Sequence, residues 1–97
     1  MGKAALLLGS NEGDRFAYLQ DAIKRIGKQA GKIMKTSYIY ETAPWGITKQ
    51  NSFLNQAVLI ETAHSPRELL DILLHIEKEI GRERTEKWGP RPISFSI

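Results

Sequence analysis

Ser65-Pro66-Arg67-Glu68 is the segment that most limits what this chain can become. Serine at the N-cap, proline at the first helical position and glutamate at the third form a capping box, so a helix begins there. Leu69, Ile72, Leu73, Ile76 and Ile80 then recur at three- and four-residue steps. One face of that helix is therefore apolar and needs a layer to lie on. Gly81 is placed to end it, giving a helix over 66–80.

A second stripe, Phe16, Leu19, Ile23, Ile26 and Ala30, predicts a helix over 14–30. Asn11 or Asp14 caps its start, and Gly31 offers a left-handed residue to close it. The rest of the chain has strand character. Residues 3–8 are a short apolar run ended by Gly9-Ser10-Asn11, and 32–42 hold Thr36, Tyr38, Ile39, Tyr40 and Thr42, all β-formers. Residues 53–62 alternate, with Leu54, Val58 and Ile60 on one face and Phe53, Asn55 and Ala57 on the other. Ile93, Phe95 and Ile97 alternate with Ser94 and Ser96 in a last strand over 93–97. The order is β-α-β-β-α-β. Right-handed crossovers turn it into an α+β, ferredoxin-like domain over 1–97, a four-stranded antiparallel sheet with both helices on one face.

Composition narrows the chemistry. With 41% hydrophobic and 26% charged residues, a 97-residue chain can bury a two-layer core without staples. No cysteine is present, which excludes disulfides, thiolate nucleophiles and cysteine zinc sites. His64 and His75 have no partner at metal-ligand spacing and are expected to be structural. No Ser-His-Asp or paired-glutamate nucleophile arrangement is legible. Residues 1–9 are too short for a signal peptide and nothing approaches a membrane span, so the expected location is the cytoplasm, with no membrane partner. The net charge of +3 is mild, but Arg82, Arg84, Lys87 and Arg91 fall close together. Such a cluster suits a polyanion, either nucleic acid or a nucleotide's phosphates.

Three constellations carry possible chemistry. Gly9-Ser10-Asn11 is either a tight turn or a set of N–H groups presented to an anion. Phe53 and Asn55 share a strand face, where an aromatic beside a carboxamide suits a flat heterocycle; a solvated edge pair is the plainer alternative. The stretch 82–92 joins arginines to Trp88-Gly89-Pro90 and reads as a mobile loop able to close over a nucleotide, or as a solvated charged loop. Trp45, beside Pro44 and Gly46, is a pocket or core-margin residue.

These pieces together resemble the 6-hydroxymethyl-7,8-dihydropterin pyrophosphokinases. The likeness lies in Leu8-Gly9-Ser10-Asn11-Glu12-Gly13-Asp14-Arg15, Tyr40-Glu41-Thr42-Ala43-Pro44-Trp45-Gly46, Phe53-Leu54-Asn55, Ile76-Glu77, Gly81-Arg82-Glu83-Arg84 and Lys87-Trp88-Gly89-Pro90-Arg91, in order from residue 5 to 93. The resemblance implies an ATP-dependent pyrophosphokinase of folate biosynthesis that uses magnesium ions, with ATP and 6-hydroxymethyl-7,8-dihydropterin as substrates. It implies pterin contacts from Thr42, Pro44, Trp45, Phe53, Asn55 and Trp88. Nucleotide contacts fall to Leu70, Glu77, Arg82, Arg84, Trp88 and Arg91, with Arg82 and Arg91 catalytic. A monomer is expected, without nucleic acid. A nucleic-acid domain would carry aromatics on its central strands, and here they stand beside loops.

The chain departs from the family at one place. An Asp-x-Asp strand that binds magnesium is expected after Pro-Arg, and this chain reads Pro92-Ile93-Ser94-Phe95-Ser96-Ile97. The apolar positions are kept while both acids are serine. Hydroxyls supply no charge to a cation that ordinarily takes one or two carboxylates. The family also continues beyond this point, so the 97 residues are expected to be the N-terminal part of its domain, impaired in catalysis. A non-catalytic pterin- or nucleotide-binding module is the alternative.

Overall fold

The computed structural model describes residues 2–43, 52–83 and 93–97. Its elements are β1 (Gly2–Ser10), α1 (Arg15–Gln29), β2 (Lys32–Thr36), β3 (Tyr40–Thr42), β4 (Phe53–Thr62), α2 (Pro66–Glu83) and β5 (Ser94–Ser96). The sheet runs β2-β4-β1-β5, and every pairing is antiparallel. β4 pairs with β1 along one edge, so β3 joins its other edge, in line with β2. The ferredoxin-like α+β arrangement expected from the periodicities is the one observed.

Alternation decides which face is covered. Leu6 and Leu8 of β1, Val58 and Ile60 of β4, and Ile93 are buried against Leu19, Ala22 and Ile26 of α1 and Leu69, Leu73, Ile76 and Ile80 of α2. The two-residue period thus sorts β4 as expected, with Phe53, Asn55 and Ala57 on the opposite, helix-free face. Polar contacts brace the helices: Gln29 Nε2 donates to Glu79 Oε1 at 2.8 Å, and Arg25 Nη1 lies 3.7 Å from Glu79 Oε2. Both arms of the capping box form, Ser65 N donating to Glu68 Oε1 at 2.8 Å and Glu68 N to Ser65 Oγ at 3.2 Å. Asp14 caps α1, its carboxylate accepting from Ala17 N at 3.1 Å.

Several expectations need correction. The strand expected over 32–42 is two strands, parted at residues 37–39. There the Ser37 hydroxyl accepts from Ala57 N at 2.8 Å and donates to Tyr38 O at 2.7 Å. Ser37 N still donates to Ala57 O, but a side-chain oxygen has replaced the backbone carbonyl as the acceptor for Ala57 N, and Tyr38 swings out to 92% exposure. Gly9 does not end β1, which runs through Ser10; the turn follows, with Gly13 at φ +58°. Phe16 is exposed, and Tyr18 takes the buried place in the first turn of α1. Gly81 does not stop α2, which continues to Glu83.

Gly31 is needed for a different reason from the one its position suggests. Its φ is not positive, but a Cβ there would lie 2.3 Å from the Glu61 carbonyl oxygen. Backbone cannot swing aside as a flexible side chain would. Gly31→Ala is expected to lower the unfolding free energy by about 1–3 kcal/mol, the usual cost of overpacking. Urea denaturation checks this, and an unchanged midpoint would refute it.

Candidate functional site

The helix-free face of the sheet carries a cleft of about 470 Å³. Register explains its floor. Tyr40 pairs with Asn55, Asn55 with Gly9, and Gly9 with Ser94, so four strands contribute one transverse row. Thr42 opposite Phe53 closes one end, and Leu7 opposite Ser96 continues the other. Gly9 gives the row its depth. A Cβ there would stand 3.4 Å from Asn55 Oδ1, 3.7 Å from Ser94 Oγ and 3.8 Å from Phe53 Cδ1, filling the space between them.

The carboxamide of Asn55 is oriented by its neighbours. Nδ2 donates to Thr42 Oγ1 at 2.9 Å and, at longer range, to Tyr40 O at 3.3 Å and Phe53 O at 3.4 Å. With the nitrogen so engaged, Oδ1 is turned over Gly9 as an acceptor. An aromatic ring, a fixed acceptor and hydroxyls from Thr42, Ser94 and Ser96 meet in a half-apolar recess. Such a lining suits a flat, polar-edged heterocycle.

The structure brings Thr42, Phe53, Asn55, Ser94 and Ser96 together. It leaves Leu70 exposed on α2, outside the cleft lining. Glu77 stands on the helix side of β5, where Oε1 accepts from Phe95 N at 2.9 Å. Pro44, Trp45, Arg84, Trp88 and Arg91 lie outside the described residues, as does most of the loop expected over 82–92; for Arg82 only the helical backbone is described. Leu7, Gly9 and Tyr40 were not expected as lining, although the alternation of β1 would place Leu7 and Gly9 on one face. Among the described residues no three histidine, aspartate, glutamate or cysteine side chains group to hold a metal ion. Ser94 and Ser96 face the cleft as neutral hydroxyls, and among the described residues no carboxylate lines it with them. This donor set does not fit a magnesium ion. Among the described residues no helix is long and apolar enough to cross a membrane.

A second polar group lies at the foot of the β3–β4 ladder. Arg15 Nη1 donates to Glu41 Oε2 at 3.1 Å and to Ser52 O and Ser52 Oγ, each at 2.9 Å. The Ser52 hydroxyl also donates to Glu41 Oε2.

A model of the 7,8-dihydro-6-hydroxymethylpterin-pyrophosphokinase (HPPK) family matches residues 5–97. Among individual relatives, the 2-amino-4-hydroxy-6-hydroxymethyldihydropteridine pyrophosphokinase of Methylorubrum extorquens is 43% identical over 98 residues, covering 100% of this chain and 62% of its own length. The protein of that name from Bacillus subtilis is 45% identical over 95 residues, covering 97% of this chain and 57% of its own. The mitochondrial folate synthesis bifunctional protein of Pisum sativum is 42% identical over 95 residues, covering 98% and 18%. The chain thus spans about 60% of the length of the single-function relatives it matches.

The Ser52 hydroxyl, and after it the Arg15 guanidinium, hold the Glu41 carboxyl below its ordinary value of 4.5. A depressed folded-state value stabilises the fold above pH 4.5, and that contribution is lost as pH falls through the lower value. A carbon-detected NMR titration of Glu41 should therefore show a midpoint below 4.5. Ser52→Ala and Arg15→Met should each raise it. A wild-type midpoint at or above 4.5 would contradict the assignment.

Proposed function

Because the chain belongs to the 7,8-dihydro-6-hydroxymethylpterin-pyrophosphokinase family, we propose that its helix-free cleft binds 6-hydroxymethyl-7,8-dihydropterin and that it transfers pyrophosphate from ATP to that pterin poorly. The observation that carries the first half is the convergence of Thr42, Phe53 and Asn55 on one recess. Phe53 offers a ring face for stacking. Asn55 Oδ1 accepts from an N–H on the pterin's amide edge, its Nδ2 being held by Thr42 Oγ1 at 2.9 Å. Pro44, Trp45 and Trp88 complete the pterin contacts in this reading.

For the transfer, the hydroxymethyl oxygen attacks the β-phosphorus of ATP. The new O–P bond forms as the bond from that phosphorus to the α,β-bridging oxygen breaks; AMP leaves with the bridging oxygen and the hydroxyl proton is lost to solvent. Positioning and charge neutralisation are most of the catalysis in such a step. Arg82, Arg84 and Arg91 are assigned to the phosphates, with Arg82 and Arg91 catalytic, and Leu70, Glu77 and Trp88 to the rest of the nucleotide. Among the described residues the cleft has no anionic ligand; Ser94 and Ser96 offer dipoles at the positions where the resemblance implies aspartates.

Fluorescence titration with 6-hydroxymethylpterin and an assay of ATP-dependent transfer separate the two halves. The chain is expected to bind the pterin while transferring at a rate about two or three decades below that of the Bacillus subtilis relative, the scale of one lost transition-state contact. Gly9→Ala should weaken pterin binding without lowering the unfolding midpoint, since its Cβ contacts are ordinary at 3.4 Å and beyond. Ser94→Asp with Ser96→Asp should restore magnesium-dependent nucleotide binding. Absence of pterin binding would overturn the first half, and turnover near the relative's rate the second.

A further inference from the structure

We infer that Arg15 is a positioning residue for the cleft, setting from the helix side of the sheet where Thr42 and Phe53 stand on the open side. The inference rests on the pterin reading only for the identity of the ligand. The geometry is independent of it.

Thr42 and Phe53 are the last pair of the β3–β4 ladder. β3 is three residues long, and among the described residues it pairs with β4 alone. So short an edge strand has few backbone hydrogen bonds to fix it, and local opening of such a segment is cheap. Glu41 immediately precedes Thr42, and Ser52 immediately precedes Phe53. By alternation the Glu41 side chain leaves β3 on the face opposite Tyr40 and Thr42, toward the helix layer. Arg15 opens α1 on that side and meets both residues at 2.9–3.1 Å. The guanidinium therefore grips the chain one residue before each member of the terminal pair.

The grip has a firm base. Asp14 caps the helix, Tyr18 and Leu19 in its first turn are buried, and Tyr18 packs over Gly13. On the cleft side the same pair carries the site's hydrogen bonds: Asn55 Nδ2 donates to Thr42 Oγ1 at 2.9 Å and reaches Phe53 O at 3.4 Å. A shift of β3 along β4 would turn the Asn55 carboxamide and move its Oδ1 off Gly9. Arg15 is not part of the cleft lining. Its effect passes through Glu41 and Ser52. All three contacts leave from Nη1, so a lysine keeps the charge but must bring a compact ammonium to the same three oxygens on a shorter stem, without a planar group to orient it.

The test compares wild-type, Arg15→Lys and Arg15→Met chains by amide hydrogen exchange and by titration with 6-hydroxymethylpterin. Arg15→Met should speed exchange about fivefold to tenfold at residues 40–42 and 53–55, the scale of one net hydrogen bond, and leave residues 69–80 within about twofold. Pterin affinity should fall by a similar factor, with Arg15→Lys in between. Adding Glu41→Gln to Arg15→Met should cost little more, because the two act through one contact. Uniform acceleration across the chain would make Arg15 a general stabiliser and overturn the inference, as would unchanged exchange at residues 40–42. Failure of the wild-type chain to bind the pterin would sink the pterin reading instead, and the exchange comparison would still decide whether Arg15 holds the ladder.

Discussion

The antiparallel pairing of β1 with β4, continuous from Gly2 opposite Thr62 to Ser10 opposite Leu54, is the interaction on which everything else in this molecule depends. It lies at the centre of the sheet, with β2 and β3 beyond one strand and β5 beyond the other. Because side chains alternate, one register sets two surfaces at once. Leu6, Leu8, Val58 and Ile60 go to the helices, while Leu7, Gly9, Asn55 and Ala57 go to the open face. A slip of one residue would empty the core and scatter the cleft together. The site needs no separate device to assemble its central row. It is the reverse side of the core.

The edges of that sheet are held by other means. β5 is three residues long, and it is joined to α2 by a side chain, Glu77 accepting from Phe95 N. β3 is equally short and is joined to α1 through Arg15, Glu41 and Ser52. Both outer contributors to the cleft are thus tied to helices on the far side of the sheet. Between them the cleft gathers Gly9, Thr42, Phe53, Asn55, Ser94 and Ser96 from four strands.

What the sequence made legible was governed by period and by local hydrogen bonding. The faces of β4, the capping box at Ser65 and Glu68, and the grouping of Phe53 with Asn55 all follow from residues a few positions apart. Errors arose where a distant partner decides. Gly31 suggested a left-handed cap, but the constraint is the Glu61 carbonyl on β4. The break in the strand over 32–42 depends on where the Ser37 hydroxyl meets Ala57, twenty residues away. Arg15 reaches Glu41 and Ser52 across separations of 26 and 37 residues, and no pattern in its neighbourhood announces either.

The break between β2 and β3 has a mechanical meaning. An unbroken strand along that edge of β4 would act as a stiff beam, passing any displacement near Thr42 to the packed end at Ile33. Ser37 instead forms a joint, pinned to β4 by its own N–H to Ala57 O and by Gln56 Nε2 to its carbonyl. On one side of the pin β2 packs against α1, and on the other β3 lines the cleft and meets α1 through Arg15. The two halves of that edge are thus fastened separately, the packed end by the core and the cleft end by Arg15.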